Sequence, residues 1–171
     1  KGTTQLATID PGDRVLLFEP FYSYHLNTAL VAGAEPIFVT TRGDGFAFDE
    51  KELAAAAARA DVLVLCTPAN PSGKVFTRAE LEFVAALAER HDLLVVTDEI
   101  YEYILFDGRE HLSPASLPGM RERTITISGF SKTFSITGWR LGYAAGPAEI
   151  LKAMGILSDL LYVCPPTPLQ W

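Results

Sequence analysis

The chain has 171 residues, of which 49% are hydrophobic and 20% are charged, and this is enough for one domain with a buried core. No apolar run approaches the roughly 20 residues that cross a bilayer, which argues against a membrane-spanning protein. A net charge of −7 without clusters of lysine or arginine argues against a nucleic-acid partner or an anionic membrane surface.

The first half of the chain alternates short apolar runs with helical patterns. Gly33 is predicted to end the first helix, whose inner face is formed by Leu26, Ala29 and Leu30. Asp49, with Glu52 three residues later, makes a capping pattern for the second helix. The predicted strands are 15–18, 35–40 and 62–66, and the predicted helices are 21–32 and 49–59.

The second half continues this alternation. Thr77 and Glu80 repeat the capping pattern before a helix that ends near His91. The remaining predicted elements are strands at 93–96, 124–127 and 139–145, a polar surface excursion with one helical turn at 106–118, and a helix at 149–161. Strands that alternate with helices through short connections predict an α/β fold with a doubly wound, mostly parallel sheet.

The cysteines and the two ends of the chain indicate where the protein works. Cys66 and Cys164 have no CxxC spacing, which favours a reduced, intracellular protein. The first five residues lack the basic and apolar pattern of a signal peptide. Because the chain stops at Trp171 without a terminal element, we expect it to be part of a longer protein.

Four chemically different side chains each follow a different predicted strand at its carboxyl end. They are Tyr22, Asn70, Asp98 and Lys132. Because these ends lie along one edge of a parallel sheet, we expect the four to converge, with Arg140, Ser128 and Ser131 joining them. No histidine or thiolate belongs to this set, so it predicts no metal site. It suits a planar, phosphorylated cofactor that carries a carbonyl group.

Two other kinds of site are excluded by their motifs. The sequence has no GxGxxG, and residues 68–75 lack both the first glycine and the closing Ser/Thr of a Walker A loop, so a nucleotide site is not expected. The three histidines, His25, His91 and His111, share no ligand spacing and are expected to be structural or solvated.

Four motifs resemble, in the same order, those of the class I/II (fold type I) pyridoxal-phosphate aminotransferases. They are Pro20-Phe-Tyr-Ser-Tyr24, Asn70-Pro-Ser-Gly73, Asp98-Glu-Ile-Tyr101 and the segment from Ser131-Lys-Thr-Phe to Gly138-Trp-Arg-Leu-Gly-Tyr143. The resemblance covers about residues 11–170. It implies that residues 1–171 are an incomplete pyridoxal-phosphate-binding large domain, without its N-terminal segment and small C-terminal domain, in a cytoplasmic homodimer.

The resemblance also implies a chemical role for each of these residues. Lys132 would form a Schiff base with the aldehyde of pyridoxal 5'-phosphate and would move the proton between the substrate Cα and the cofactor. Asp98 would pair with the pyridine nitrogen and keep it protonated. Tyr101 and Asn70 would hydrogen-bond the phenolic oxygen, and Tyr22 would stack on the ring.

The remaining implied contacts are with the cofactor phosphate. Arg140 would grip it with two parallel hydrogen bonds, and the hydroxyls of Ser131 and Ser128 would donate to it. Gly2 and Thr3 resemble the first phosphate loop of the family, although the interval from Gly2 to Pro11 is several residues too short for the helix that usually follows.

The implied reaction is the transfer of an amino group from an L-amino acid to a 2-oxo acid. The same residues also serve pyridoxal-phosphate lyases, which catalyse β-elimination or carbon–carbon cleavage, and non-catalytic regulators that bind the cofactor. The arginine that holds the substrate carboxylate in this family would lie outside the chain.

Overall fold

The computed structural model describes residues 2–170, and the side chains of residues 4–170. Six strands form one sheet in the order β2-β1-β3-β4-β5-β6. All neighbouring strands are parallel except β5 and β6, which are antiparallel. The strands are β1 (Arg14–Glu19), β2 (Glu35–Thr40), β3 (Val62–Cys66), β4 (Leu94–Asp98), β5 (Thr124–Gly129) and β6 (Gly142–Ala145).

Helices cover both faces of this sheet, as the doubly wound prediction requires. The helices are α1 (Gly2–Thr8), α2 (Ser23–Val31), α3 (Glu50–Ala57), α4 (Arg78–Arg90), α5 (Phe130–Thr133) and α6 (Ala148–Tyr162). One buried cluster joins α3 and α4 to the sheet through residues such as Leu53, Leu81 and Leu63. The other joins α2 and α6 to the opposite face through Ala29 and Met154. The predicted fold class is therefore confirmed.

The helix ends follow the local chemistry of the sequence. The Asp49 carboxylate accepts hydrogen bonds from the backbone N–H groups of Lys51 and Glu52, which would otherwise be unsatisfied. Thr77 and Glu80 form a reciprocal capping box at the start of α4. Gly33 has φ +81°, and a Cβ there would lie 3.2 Å from the Pro11 side chain. A glycine is therefore required after α2.

One helix face differs from the prediction. In α2, Ala29 is buried as expected, but Leu30 is exposed and His25 is buried in its place. The apolar pattern of α2 is weak. The contact between His25 and Asp98, at the edge of the sheet, decides that His25 faces inward.

Three other segments also differ from the sequence-based expectations. The N-terminal interval forms the seven-residue helix α1. The segment 106–118 contains the expected helical turn, at Pro114–Ser116, but Pro114 and Leu117 are buried against the sheet rather than exposed. Strand β6 is shorter than predicted, because a 3₁₀ turn occupies Thr137–Trp139.

The order of the strands places a crevice at one edge of the sheet. The chain moves from β1 outward to β2 and then returns to β3 on the other side of β1, so the direction of winding reverses between β1 and β3. Ligands of open α/β sheets bind at such a reversal, beyond the carboxyl ends of the strands. Among residues 2–170, no helix is both long and apolar enough to cross a bilayer.

Candidate active site

The side chains predicted to converge follow strand ends on the same edge of the sheet. Tyr22 is the N-cap of α2, just after β1, and Asn70 lies in the turn after β3. Asp98 is the last residue of β4, and Lys132 lies in α5, directly after β5. Because these strands are parallel, all four residues belong to one edge.

Tyr101 and Asn70 line one open groove, and Lys132 lies beside Tyr101. The Lys132 Nζ atom lies 5.9 Å from the centre of the Tyr101 ring. Tyr101 and Asn70 both line a groove of about 430 Å³, together with the turn 71–75 and the segment 104–109. A phenol and an amide therefore share one groove, and the exposed Lys132 amine approaches it on the side of Tyr101.

Asp98 has a histidine partner that the sequence analysis missed. The His25 Nε2 atom lies 3.4 Å from Asp98 Oδ2, and both side chains are buried. The backbone N–H of Ile100 donates to the other carboxylate oxygen at 3.4 Å. The Tyr22 ring packs edge-on against the His25 ring, with 5.7 Å between the ring centres. The spacing of three residues between Tyr22 and His25, one helical turn, is a sequence signal that could have indicated this contact.

Cys66 is the second residue near Asp98 that the sequence analysis did not assign to the site. It is paired with Asp98 in the register of β3 and β4, and both side chains lie on the α2 face of the sheet. Its thiol donates to the Pro68 carbonyl oxygen at 3.4 Å. Potential ligand atoms of His25, Cys66 and Asp98 all lie within 4.8 Å of one another. The predicted set of site residues contained no histidine or thiol, whereas the structure places both His25 and Cys66 beside Asp98.

Ser131 and Arg140 belong to a turn that Thr137 closes. The Thr137 hydroxyl donates to the Ser131 carbonyl oxygen at 3.0 Å, and Arg140 Nη1 donates to the Thr137 carbonyl oxygen at 2.9 Å. Arg140 adopts the left-handed conformation with φ +59°, and its side chain is exposed. The turn therefore holds Arg140 close to Ser131 in space, while leaving most of its guanidinium donors free.

The Ser128 hydroxyl makes a different contact. It is buried and donates to Glu102 Oε1 at 2.6 Å, while the Tyr143 hydroxyl donates to the same oxygen at 3.1 Å. Interaction with Ser128 alone would lower the pKa of the Tyr143 hydroxyl. Burial and the Glu102 carboxylate outweigh it and raise that pKa above its ordinary value. The phosphate contact of Ser128 stays a prediction. The phosphate contacts of Gly2 and Thr3 also stay predictions, because the structure describes side chains only from residue 4 onward.

Comparison with known sequences identifies the family. The family model described as "Aminotransferase class I and II" matches residues 1–171. The chain belongs to this aminotransferase family. The family predicted from the four motifs is thus confirmed.

Individual aminotransferases match over most of this chain. Kynurenine–oxoglutarate transaminase 1 of Homo sapiens is 41% identical over 172 residues, which cover 93% of this chain and 41% of the relative. A bifunctional aspartate and glutamate/aspartate-prephenate aminotransferase of Petunia hybrida is 44% identical over 151 residues, which cover 86% of the chain and 32% of that protein. The chain thus spans less than half the length of these curated relatives.

The fold agrees with that of solved aminotransferases. The structure of N-succinyldiaminopimelate aminotransferase from Mycobacterium tuberculosis has a TM-score of 0.94 and 39% sequence identity, and the match covers 99% of this chain and 45% of that one. The fold of this chain is therefore that of the solved aminotransferases.

The donor set fits pyridoxal phosphate, on which aminotransferases of this family depend. A buried carboxylate, Asp98, suits a protonated ring nitrogen, and the paired His25 keeps it in place. The Lys132 amine lies at the groove that Tyr101 and Asn70 line. The exposed Arg140 guanidinium supplies the planar donor group that a phosphate prefers.

Proposed function

We propose that this chain is the cofactor-binding large-domain portion of a pyridoxal-phosphate-dependent aminotransferase that transfers an amino group from an L-amino acid to a 2-oxo acid. The observation that carries the proposal is the placement of Lys132 beside Tyr101, on the sheet edge where Asp98 and His25 pair. The family and its named relatives support the same class of reaction.

Lys132 is proposed both to bind the cofactor and to transfer a proton. When bound, pyridoxal phosphate supplies an electron sink that makes the Cα–H bond of an amino acid acidic. The Lys132 amine would hold the aldehyde group of the cofactor and would also act as the base and acid that moves the proton of the substrate Cα. The Lys132 side chain is exposed beside Tyr101, rather than buried in the core, and this leaves it room to move.

The side chains around Lys132 orient the ring and set its charge. Asp98 would hold the ring nitrogen protonated, and His25, 3.4 Å away, fixes the Asp98 carboxylate. Tyr101 and Asn70, which line the same groove, would donate hydrogen bonds to the phenolic oxygen. Tyr22 would pack on the cofactor ring, and its contact with His25 holds the Tyr22 side chain in place.

The turn 131–140 is the proposed phosphate site. Arg140 and Ser131 donate from the two ends of this turn, and Thr137 holds the ends together. Ser128, Gly2 and Thr3 complete the proposed contacts, although Ser128 must first release Glu102.

The full-length protein is proposed to be a cytoplasmic homodimer. Large apolar side chains are exposed on α6 and near the site, including Phe134, Leu160 and Tyr162, and this supports an interface. Among the described residues, neither Cys66 nor Cys164 forms a disulfide, as expected in a reducing compartment. The substrates are proposed to be small molecules, namely an amino acid and a 2-oxo acid.

The test is half-transamination by the full-length protein, followed through the absorbance of bound cofactor. An amino acid should shift the spectrum to the amine form of the cofactor, and a 2-oxo acid should reverse the shift. Release of ammonia and pyruvate instead would mark a lyase. A cofactor spectrum that no amino acid changes would mark a regulator.

Lys132→Ala should remove the visible band of protein-bound cofactor and abolish transfer. Lys51→Ala, on the exposed surface of α3, is the matched control and should retain both. Survival of the band in Lys132→Ala would refute the assignment of the site.

A further inference from the structure

Three metal-ligating side chains meet at the carboxyl ends of β3 and β4. His25 reaches in from α2, while Cys66 and Asp98 are the last residues of the two adjacent strands. Their ligand atoms all lie within 4.8 Å of one another. The convergence depends on the strand register, which pairs Cys66 with Asp98, and on the packing of α2 across that pair.

The chemistry of the three groups selects a particular class of metal. Imidazole, thiolate and carboxylate are all ligands of zinc, whereas calcium and magnesium prefer oxygen alone. A thiolate and a carboxylate together also neutralise a divalent cation, so that its burial leaves no net charge at the sheet edge. Three protein ligands leave a fourth position for water, as in open zinc sites.

The surroundings hold the ligand atoms near one another. The Ile100 N–H donates to one oxygen of Asp98, and the other oxygen lies 3.4 Å from His25 Nε2. Two of the three ligands, His25 and Cys66, also line a cavity of about 20 Å³, which is enough for one water molecule; Asp98 does not line it. Tetrahedral zinc needs ligand atoms about 3.4 Å apart, which follows from bonds of about 2.0–2.3 Å. Rotation of the half-buried Cys66 side chain can close the remaining gap.

We propose that, when no cofactor occupies the site, His25, Cys66 and Asp98 bind a divalent cation of the zinc class. The Cys66 thiol releases its proton to solvent as the metal–sulfur bond forms, and the oxidation state of the metal does not change. Because Asp98 is then a metal ligand, metal and cofactor exclude each other. The exclusion rests on the proposed function of Asp98, whereas the metal site does not.

Cobalt(II), a spectroscopic substitute for zinc, provides the test. Added to the full-length protein after removal of cofactor, it should give a thiolate-to-cobalt charge-transfer band and the intense visible bands of a tetrahedral site. Zinc should displace it. Cys66→Ser should lose the charge-transfer band, and Cys164→Ser, which removes the other, exposed cysteine, should keep it.

Two further measurements keep the test independent of how the variants fold. Zinc should protect Cys66, but not Cys164, from alkylation in the unmodified sequence, as read by mass spectrometry. His25→Gln should weaken zinc binding at least tenfold, since even outer-shell partners contribute about 10–100-fold in metal affinity. Equal alkylation of both cysteines with and without zinc, or a charge-transfer band that survives in Cys66→Ser, would overturn the site.

Different results would refute the metal site and the proposed function. If the protein transfers no amino group but the cobalt band depends on Cys66, the metal site stands and the enzyme assignment fails. If saturation with pyridoxal phosphate leaves the cobalt band unchanged, the exclusion is wrong.

Discussion

Two adjacent carboxylates, Asp98 and Glu99, face opposite sides of the sheet and have different partners. Successive side chains of a strand alternate between its faces, so Asp98 meets His25 on the α2 side while Glu99 meets His111 on the other side. Both carboxylates are almost fully buried. A buried carboxylate requires compensation, and each here has an imidazole within 3.4 Å. Of these two pairs, only Asp98 and His25 lie on the α2 side of the sheet, which carries the candidate active site.

Replacing Asp98 by Asn should therefore impair catalysis by the full-length protein. The amide keeps the shape of the carboxylate but loses the charge that would hold the cofactor ring protonated. We expect kcat/KM to fall by about 10²–10³-fold, the range found when one preorganised electrostatic contact is removed. Asp92→Asn, at an exposed carboxylate that pairs with Arg123, should remain within about twofold of wild type. Equal loss in the two variants would contradict the role of Asp98.

The sequence allowed prediction of the site residues that come from strand ends, and it missed those that come from packing. Asn70, Asp98 and Lys132 follow apolar runs, and the rule that parallel strands end at one edge brings them together. His25 and Cys66 enter through the packing of α2 across β3 and β4. That contact brings His25 to Cys66 and Asp98, which are 41 and 73 positions later in the chain, and no local pattern encodes it.

At the scale of elements, a buried polar network fastens the segment 101–113 to the sheet. Glu99 Oε1 accepts hydrogen bonds from the hydroxyls of Thr97 at 2.7 Å, Ser113 at 2.9 Å and Thr126 at 3.3 Å. The other carboxylate oxygen lies 2.6 Å from His111 Nε2. The network thus joins β4 and β5 to the segment that begins with Tyr101 and forms one wall of the groove.

His111→Ala should loosen this segment. It removes a hydrogen bond to a buried carboxylate, and such bonds contribute about 1.5–3 kcal/mol. We expect the free energy of unfolding to fall by about 2–3 kcal/mol in denaturant titrations. Amide hydrogen exchange should accelerate in residues 101–113. The neighbouring Glu110 is exposed, so Glu110→Ala should change stability by less than about 0.5 kcal/mol. If the two variants behave alike, the network does not fasten the segment.

The elements show why local patterns predict some features and not others. The capping of α3 and α4 was predicted because side chain and backbone partners lie within three residues. The burial of the segment 106–118 was not predicted. The segment is held by hydrogen bonds to Glu99, a buried carboxylate that comes before the segment in the chain. Polar residues in a loop suggest that the loop is exposed, but here His111 and Ser113 bind the buried carboxylate of Glu99.

At the scale of the whole molecule, the net charge is −7, and particular carboxylates have pKa values that the fold lowers. A hydrogen bond from Arg14 holds the pKa of Asp61 below its ordinary value, although burial opposes it. The backbone N–H groups of Glu52 and Lys51 lower the pKa of Asp49. Burial alone would raise the pKa of Glu80, but hydrogen bonds from Lys74 and the Thr77 backbone outweigh it and lower that pKa.

These shifts predict that acid destabilises the fold. A carboxyl group with a lowered pKa in the folded state contributes stability above its unfolded pKa, about 4, and this stability is lost as the pH falls through the folded pKa. Glu80 should contribute most per group, since it pairs at 2.6 Å with Lys74, whose ammonium is buried. Glu80→Gln should therefore lower the free energy of unfolding at pH 7 and also reduce its decrease between about pH 5 and pH 3. Glu82→Gln, on the exposed side of the same helix, should keep the wild-type decrease. Denaturant titrations across this range measure both effects, and an unchanged acid decrease in Glu80→Gln would exclude the Lys74–Glu80 pair as its source.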